Sequence, residues 1–221
     1  MEQNLRQIAE RIKQAKSVLI MGHMRPDGDA LGSALALSCA LKKLNIPTQV
    51  CVESDIPSNV SFVEGMDMVK KKPTGEYDLL VAVDCSEDTR LGALQEEFFL
   101  AKRKRIDTVN VDHHISNSRF AKYNFVRDCA ANCMNIAQLI KYMGVSFDKK
   151  TAEYLLLGLL TDSGNFSHDD VNEEAFLLAA ELVKAGRRIY DVRVQYALLP
   201  RPARERQAFS LRRPTHAACR L

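Results

Sequence analysis

The stretch Val18 to Ser33, VLIMGHMRPDGDALGS, constrains the fold of this chain more than any other. Val18 to Met21 is a short apolar run of the kind that forms a buried parallel strand. It stops at Gly22, and His23, Asp27 and Asp29 follow within seven residues, spaced by Pro26 and Gly28. A helical pattern starts at Ala30. Pro and Gly mark a loop, so the imidazole and both carboxylates fall at the carboxyl end of a strand. In an open α/β sheet that edge is where ligands bind. One imidazole and two carboxylates on one tight loop suit a hard or borderline divalent cation.

The same grammar recurs downstream. Leu79 to Val83 is apolar throughout and runs straight into Asp84. Ile106 to Val111 reads as a strand and ends in Asp112-His113-His114. Lys149 to Thr161 is a helix whose apolar face is wide enough to require burial, and it meets Asp162. Further helices are expected over residues 4–16, from Ala30 to about Asn45, Leu91–Ala101, Ala131–Met143 and Glu173–Ala185, and a strand over Thr48–Glu53. Residues 55–72 read as loop with at most a helical turn. Strands alternating with helices predict an α/β fold, a doubly wound, mostly parallel β-sheet with helices on both faces.

With 46% hydrophobic residues in 221, the chain can build a sizeable core. A net charge of +3 does not by itself point to nucleic acid, and the basic run Lys102 to Arg105 reads as a solvated face. The six cysteines form no CxxC pair and lie mostly in apolar runs, which suits a reducing cytosol. No apolar run is long enough to span a bilayer, and the N-terminus lacks a signal-peptide core. The expectation is a soluble cytoplasmic protein with no membrane partner. Residues 1–199 read as one domain. Residues 200–221 hold six Arg and no Lys, and read as a disordered tail, a basic arm or the remnant of a truncated second domain.

Each acidic ending has a bland alternative: Asp84 or Asp162 as a helix cap, Asp27 and Asp29 as an Asx turn. Together they are harder to explain that way, because four carboxylates gathered without a cation repel one another. Two divalent cations about 3.5–4 Å apart, bridged by a shared carboxylate, match the number and type of ligands. Mixed carboxylate and imidazole donors favour manganese over calcium, and the lack of thiolates argues against structural zinc. Such a pair clamps the attacking and leaving oxygens of a phosphoryl transfer. No phosphate loop is present, so hydrolysis of a phosphate ester or anhydride is the chemistry expected.

HMRPDGDALGS, VAVDCSE, NVDHHISN and LLTDSGNF resemble, in order, the four motifs of the DHH phosphoesterase superfamily. Within it the chain is most similar to the bacterial oligoribonuclease and 3'-phosphoadenosine 5'-phosphate phosphatase group. The resemblance implies that His23, Asp27 and Asp84 hold one Mn2+, and that Asp29, Asp84, His113 and Asp162 hold the other. It places Asp112 behind the imidazoles as their orienting partner and His114 beside the scissile phosphate, with an activated water as nucleophile. Asn132 and Ser163 stand as substrate contacts. The implied substrates are short RNA oligomers, cut to mononucleotides, and 3'-phosphoadenosine 5'-phosphate, converted to AMP. Two departures are visible. Nothing after Pro200 resembles the C-terminal DHHA1 substrate domain of relatives, and Ala131-Asn132-Cys133-Met134 stands where they carry a hydroxyl-rich run. Alternatives are a cyclic-dinucleotide or pyrophosphate hydrolase of the same superfamily, or a truncated, catalytically impaired metal- or nucleotide-binding domain. Oligomeric state is open, a homodimer included.

Overall fold

A computed structural model describes residues 2–186 together with 189 and 192. The Arg-rich segment 200–221 and the domain boundary at 199 lie outside these residues.

Helix α1 (Glu2–Lys13) is amphipathic and leads into β1 (Val18–Met21), α2 (Gly28–Lys43) and β2 (Thr48–Cys51). Then come β3 (Val69–Lys70), β4 (Leu79–Val83), α3 (Gln95–Arg103), β5 (Asp107–Asp112) and β6 (Tyr123–Val126). Helices α4 (Asn132–Tyr142), α5 (Lys149–Asp162) and α6 (Glu173–Lys184) close the described chain. The six strands form one sheet in the order β3-β2-β1-β4-β5-β6, and every pairing is parallel. The expected α/β architecture is therefore observed, with two strands more than the sequence pattern marks.

Both extra strands are edges. β3 is two residues long, and β6 reads YNFV, with a polar side chain at its second position. Neither shows a continuous apolar run, because an edge strand need not be buried on both faces. The turn inside residues 55–72 is the 3-10 segment Met66–Met68. Helix α2 starts two residues earlier than its apolar pattern, since Asp27 caps it by accepting from the amides of Asp29 and Ala30.

Strand side chains alternate between two cores. Val18, Ile20, Leu79, Val81 and Val83 face α1, α2, α4, α5 and α6. Leu19, Met21, Leu80 and Ala82 face α3 with Leu91, Leu94 and Phe98. β4 is buried on both faces, as a central parallel strand must be. Adjacent β1 and β4 send their connections to opposite faces, which opens a crevice at their carboxyl ends.

Helices α2, α4 and α5 meet closely below that crevice. A Cβ at Gly32 would lie against the main-chain oxygen of Tyr154, which cannot swing aside as a side chain would. Gly32→Ala should therefore destabilise the protein by about 1–3 kcal/mol, measured by urea denaturation. A variant as stable as the parent would show that α2 and α5 are not in such contact.

Candidate metal centre

Five elements deliver side chains to the crevice. His23 follows β1, and Asp27 and Asp29 flank the first turn of α2. Asp84 follows β4, Asp112, His113 and His114 end β5, and Asp162 ends α5. Three groups of these residues lie close enough together to hold an ion: His23 with Asp27 and Asp84, Asp29 with His113 and Asp162, and Asp84 with His113 and His114.

Asp84 sits at the centre and is 2% exposed. One carboxylate oxygen lies 3.5 Å from His23 Nε2 and the other 3.5 Å from His113 Nε2. His23 Nε2 is 3.7 Å from Asp27 Oδ2, and His113 Nε2 is 3.4 Å from Asp162 Oδ2. A charge-assisted hydrogen bond would be about 2.7–2.9 Å long. Asp84 Oδ1 has no hydrogen-bond partner among the described residues despite its burial. Both imidazoles turn their other nitrogen away: Nδ1 of His23 meets the Met24 carbonyl and Nδ1 of His113 the Cys129 carbonyl, each at 2.8 Å. A carbonyl accepts only from N–H, so Nδ1 is the donor in each ring. Nε2 then either presents a lone pair to a cation or carries a second proton towards the carboxylates.

The donor set fits a dication on these grounds. Metal-bound histidines characteristically donate their second nitrogen to a carbonyl or carboxylate. Oxygen and nitrogen ligands around one ion lie about 3 Å or more from each other, as they do here. A carboxylate oxygen buried without a partner is costly unless a cation meets it.

Asp27 divides its two oxygens, Oδ1 capping α2 and Oδ2 facing His23. Asp29 is 1% exposed and also reaches α4, whose N-cap, Ala131, has no capping side chain. The amides of Asn132 and Cys133 donate to the Asp29 carboxylate, so an acid on α2 caps α4. Asp112 orients one imidazole rather than two: its Oδ1 accepts from His114 Nδ1 at 2.8 Å, while His113 is held by Cys129. Side-chain exposure of His114 is 32%, against 13% for His113, so its ring lies at the open side of the group.

The two expected substrate contacts are enclosed. Asn132 is fully buried, its Nδ2 donating to Ser33 Oγ at 3.2 Å, and its backbone amide is spent on Asp29. Ser163 is fully buried, and its Oγ accepts the Phe166 amide in the turn after α5. Sequence reasoning passed over Asn110 and Asn117, which hydrogen-bond around Asp112 and the Cys85 carbonyl. Their one signal is a pair of polar residues: Asn110 inside the apolar strand TVNVD, and Asn117 three residues after His114 in DHHISN.

Without a cation the centre balances its charge with protons. Burial opposes a charged His23 ring, but Asp27 and Asp84 outweigh it and push its pKa up to about 10. His113 is likewise buried, and Asp84 and Asp29 raise it to about 10. Burial works to raise Asp84 too, yet His113 and His23 hold it well below the usual carboxylate range. Asp29 is pushed well above that range by burial and by the charges of Asp84 and Asp162. Asp162 is raised to about 6, chiefly by burial with the charges of Asp84 and Asp27 adding to it, against the opposing pull of His113 and His114. A ligating imidazole must be neutral, so a metal entering near pH 7 displaces protons from His23 and His113. Mn2+ affinity should therefore climb as pH rises from about 6 to about 9. Calorimetric heats of binding should also differ between buffers of different ionisation enthalpy. An affinity independent of pH, with no proton released, would contradict this charge balance.

A family model for the DHH family N-terminal domain matches residues 17–159. A bifunctional oligoribonuclease and PAP phosphatase NrnA of Thermus thermophilus is 33% identical over 196 residues, covering 86% of this chain and 57% of that protein. A probable manganese-dependent inorganic pyrophosphatase of Bacillus mycoides is 27% identical over 180 residues, covering 76% of this chain and 55% of that protein. The chain thus spans a little over half the length of these two curated relatives. Among solved structures, an exopolyphosphatase-related protein from Bacteroides fragilis has the same fold, with a TM-score of 0.82 at 20% identity over 96% of this chain and 65% of that one. The ordered motifs, the parallel sheet and the family match over residues 17–159 agree, and the chain belongs to the DHH family.

Proposed function

We propose that this chain is the catalytic unit of a manganese-dependent phosphoesterase. In this reading it hydrolyses short oligoribonucleotides to mononucleotides and 3'-phosphoadenosine 5'-phosphate to AMP. The observation that carries the reading is Asp84, buried between two imidazoles with one carboxylate oxygen facing each. His23, Asp27 and Asp84 would hold one ion, and Asp29, Asp84, His113 and Asp162 the other. Bound there, two dications would activate a water and polarise the phosphoryl oxygens.

The side chains around them have separate tasks. The Met24 and Cys129 carbonyls fix the ring orientation of His23 and His113, so that Nε2 faces inward. Asp29, tied to the first amides of α4, is held still while it faces His113 and Asp162. His114 is fixed at Nδ1 by Asp112, which leaves Nε2 to donate a proton to the leaving oxygen. The relative named as an oligoribonuclease and PAP phosphatase supports the substrate class. The relative named as a pyrophosphatase supports pyrophosphate as the second substrate to test.

The test is release of AMP or mononucleotides by the full chain with Mn2+, with pyrophosphate and a cyclic dinucleotide as parallel substrates. Asp84→Ala should lose at least about 100-fold in turnover, because it removes the carboxylate shared by both imidazoles. His114→Ala should lower kcat by about 100-fold or more with little change in Mn2+ affinity. Full activity in Asp84→Ala would overturn the mechanism, and hydrolysis of pyrophosphate alone would overturn the substrate assignment.

A further inference from the structure

Asp84 has a backbone φ of 52°, in the left-handed region that few residues other than glycine adopt. Two neighbours bear directly on the peptide that follows it. Asn110 is fully buried in β5, paired in register with Ala82 of β4. Its Nδ2 donates to the Cys85 carbonyl at 3.1 Å and the Ala82 carbonyl at 3.4 Å. Asn117, in the loop after β5, donates from Nδ2 to the same Cys85 carbonyl at 3.1 Å. That nitrogen also meets Asn110 Oδ1 at 2.8 Å and Asp112 Oδ2 at 2.6 Å, three acceptors sharing two hydrogens.

The orientation of both amides is fixed by the backbone. The Arg119 N–H donates to Asn117 Oδ1 at 2.7 Å, so the other end of that amide must be the donor. The carbonyls of Ala82 and Cys85 can be met only by an NH2, which orients Asn110 in the same way. A buried asparagine in a central strand is expensive unless something uses its amide. Here both amides converge on the carbonyl one residue beyond Asp84. The Asp84 amide is meanwhile fixed by the Val111 carbonyl at 3.0 Å, so the chain is held on both sides of the left-handed residue.

We propose that Asn110 and Asn117 are positioning residues that brace the chain after Asp84, holding its carboxylate between His23 and His113. Through Asp112 the same brace reaches His114, so one pair of amides aligns both sides of the centre. The inference rests on the metal-centre reading above and assigns a role to two residues that supply no ligand.

The test is Asn117→Ala in the full chain, with Asn117→Ser, which keeps a hydroxyl donor, as the second variant. Mn2+ affinity measured by calorimetry should fall about 10- to 100-fold in Asn117→Ala, the effect of losing an outer hydrogen-bond partner of a ligand. Asn117→Ser should recover part of it. The melting temperature of the metal-free protein should shift by no more than about 4 °C. A crystal structure of the metal-free variant should show Asp84 moved out of the left-handed region. Unchanged Mn2+ affinity, or an Asp84 that keeps its place, would overturn the proposal. So would a lowered melting temperature with affinity intact, which is the signature of packing alone. These readouts use no substrate, so they judge the brace separately from the hydrolysis reading.

Discussion

The structure turns on the repulsion among carboxylates gathered at the carboxyl ends of β1, β4 and β5 and at the end of α5. Asp29, Asp84 and Asp112 are buried there, and a buried carboxyl group is costly without positive charge or donated hydrogen bonds beside it. The protein supplies each in a different way. Asp112 has His114 and Asn117, Asp29 has the first amides of α4, and Asp84 has two imidazoles facing it. Protons on His23 and His113 stand where a dication would place its charge.

The parallel sheet makes this gathering feasible. Its central strands are buried on both faces, so their apolar runs are unbroken, and their polar residues concentrate at the ends. The strand order reverses between β1 and β4, whose connections leave to opposite faces, and this opens a crevice where those ends meet. Close packing of α2 against α4 and α5 then brings Asp29 and Asp162, from two different helices, to the same place. The capping of α4 by Asp29 also explains why that helix end is not a free anion site: its leading amides already hold a carboxylate.

Much of this was legible in the sequence because strand, loop and ligand follow one another directly. An apolar run ending in Asp84, or in Asp112-His113-His114, states both the strand and the residues at its end. The edge strands β3 and β6 were not legible, since neither carries the continuous apolar signal of a central strand. Asn132 and Ser163 were expected to touch substrate because of their polarity and their place in the motifs. The structure buries both, with the Asn132 Nδ2 on Ser33 and the Ser163 hydroxyl in the turn at Phe166, while Asn132 Oδ1 has no hydrogen-bond partner among the described residues. Asn110 and Asn117 escaped notice for the opposite reason: their partners include backbone carbonyls, which a sequence pattern does not display.

The most direct measurement is anomalous diffraction from crystals grown with Mn2+. The account predicts two manganese peaks on either side of the Asp84 carboxylate, one beside His23 and Asp27 and the other beside His113, Asp29 and Asp162. A crevice without anomalous density at saturating Mn2+, its acids paired only with protonated histidines, would contradict it.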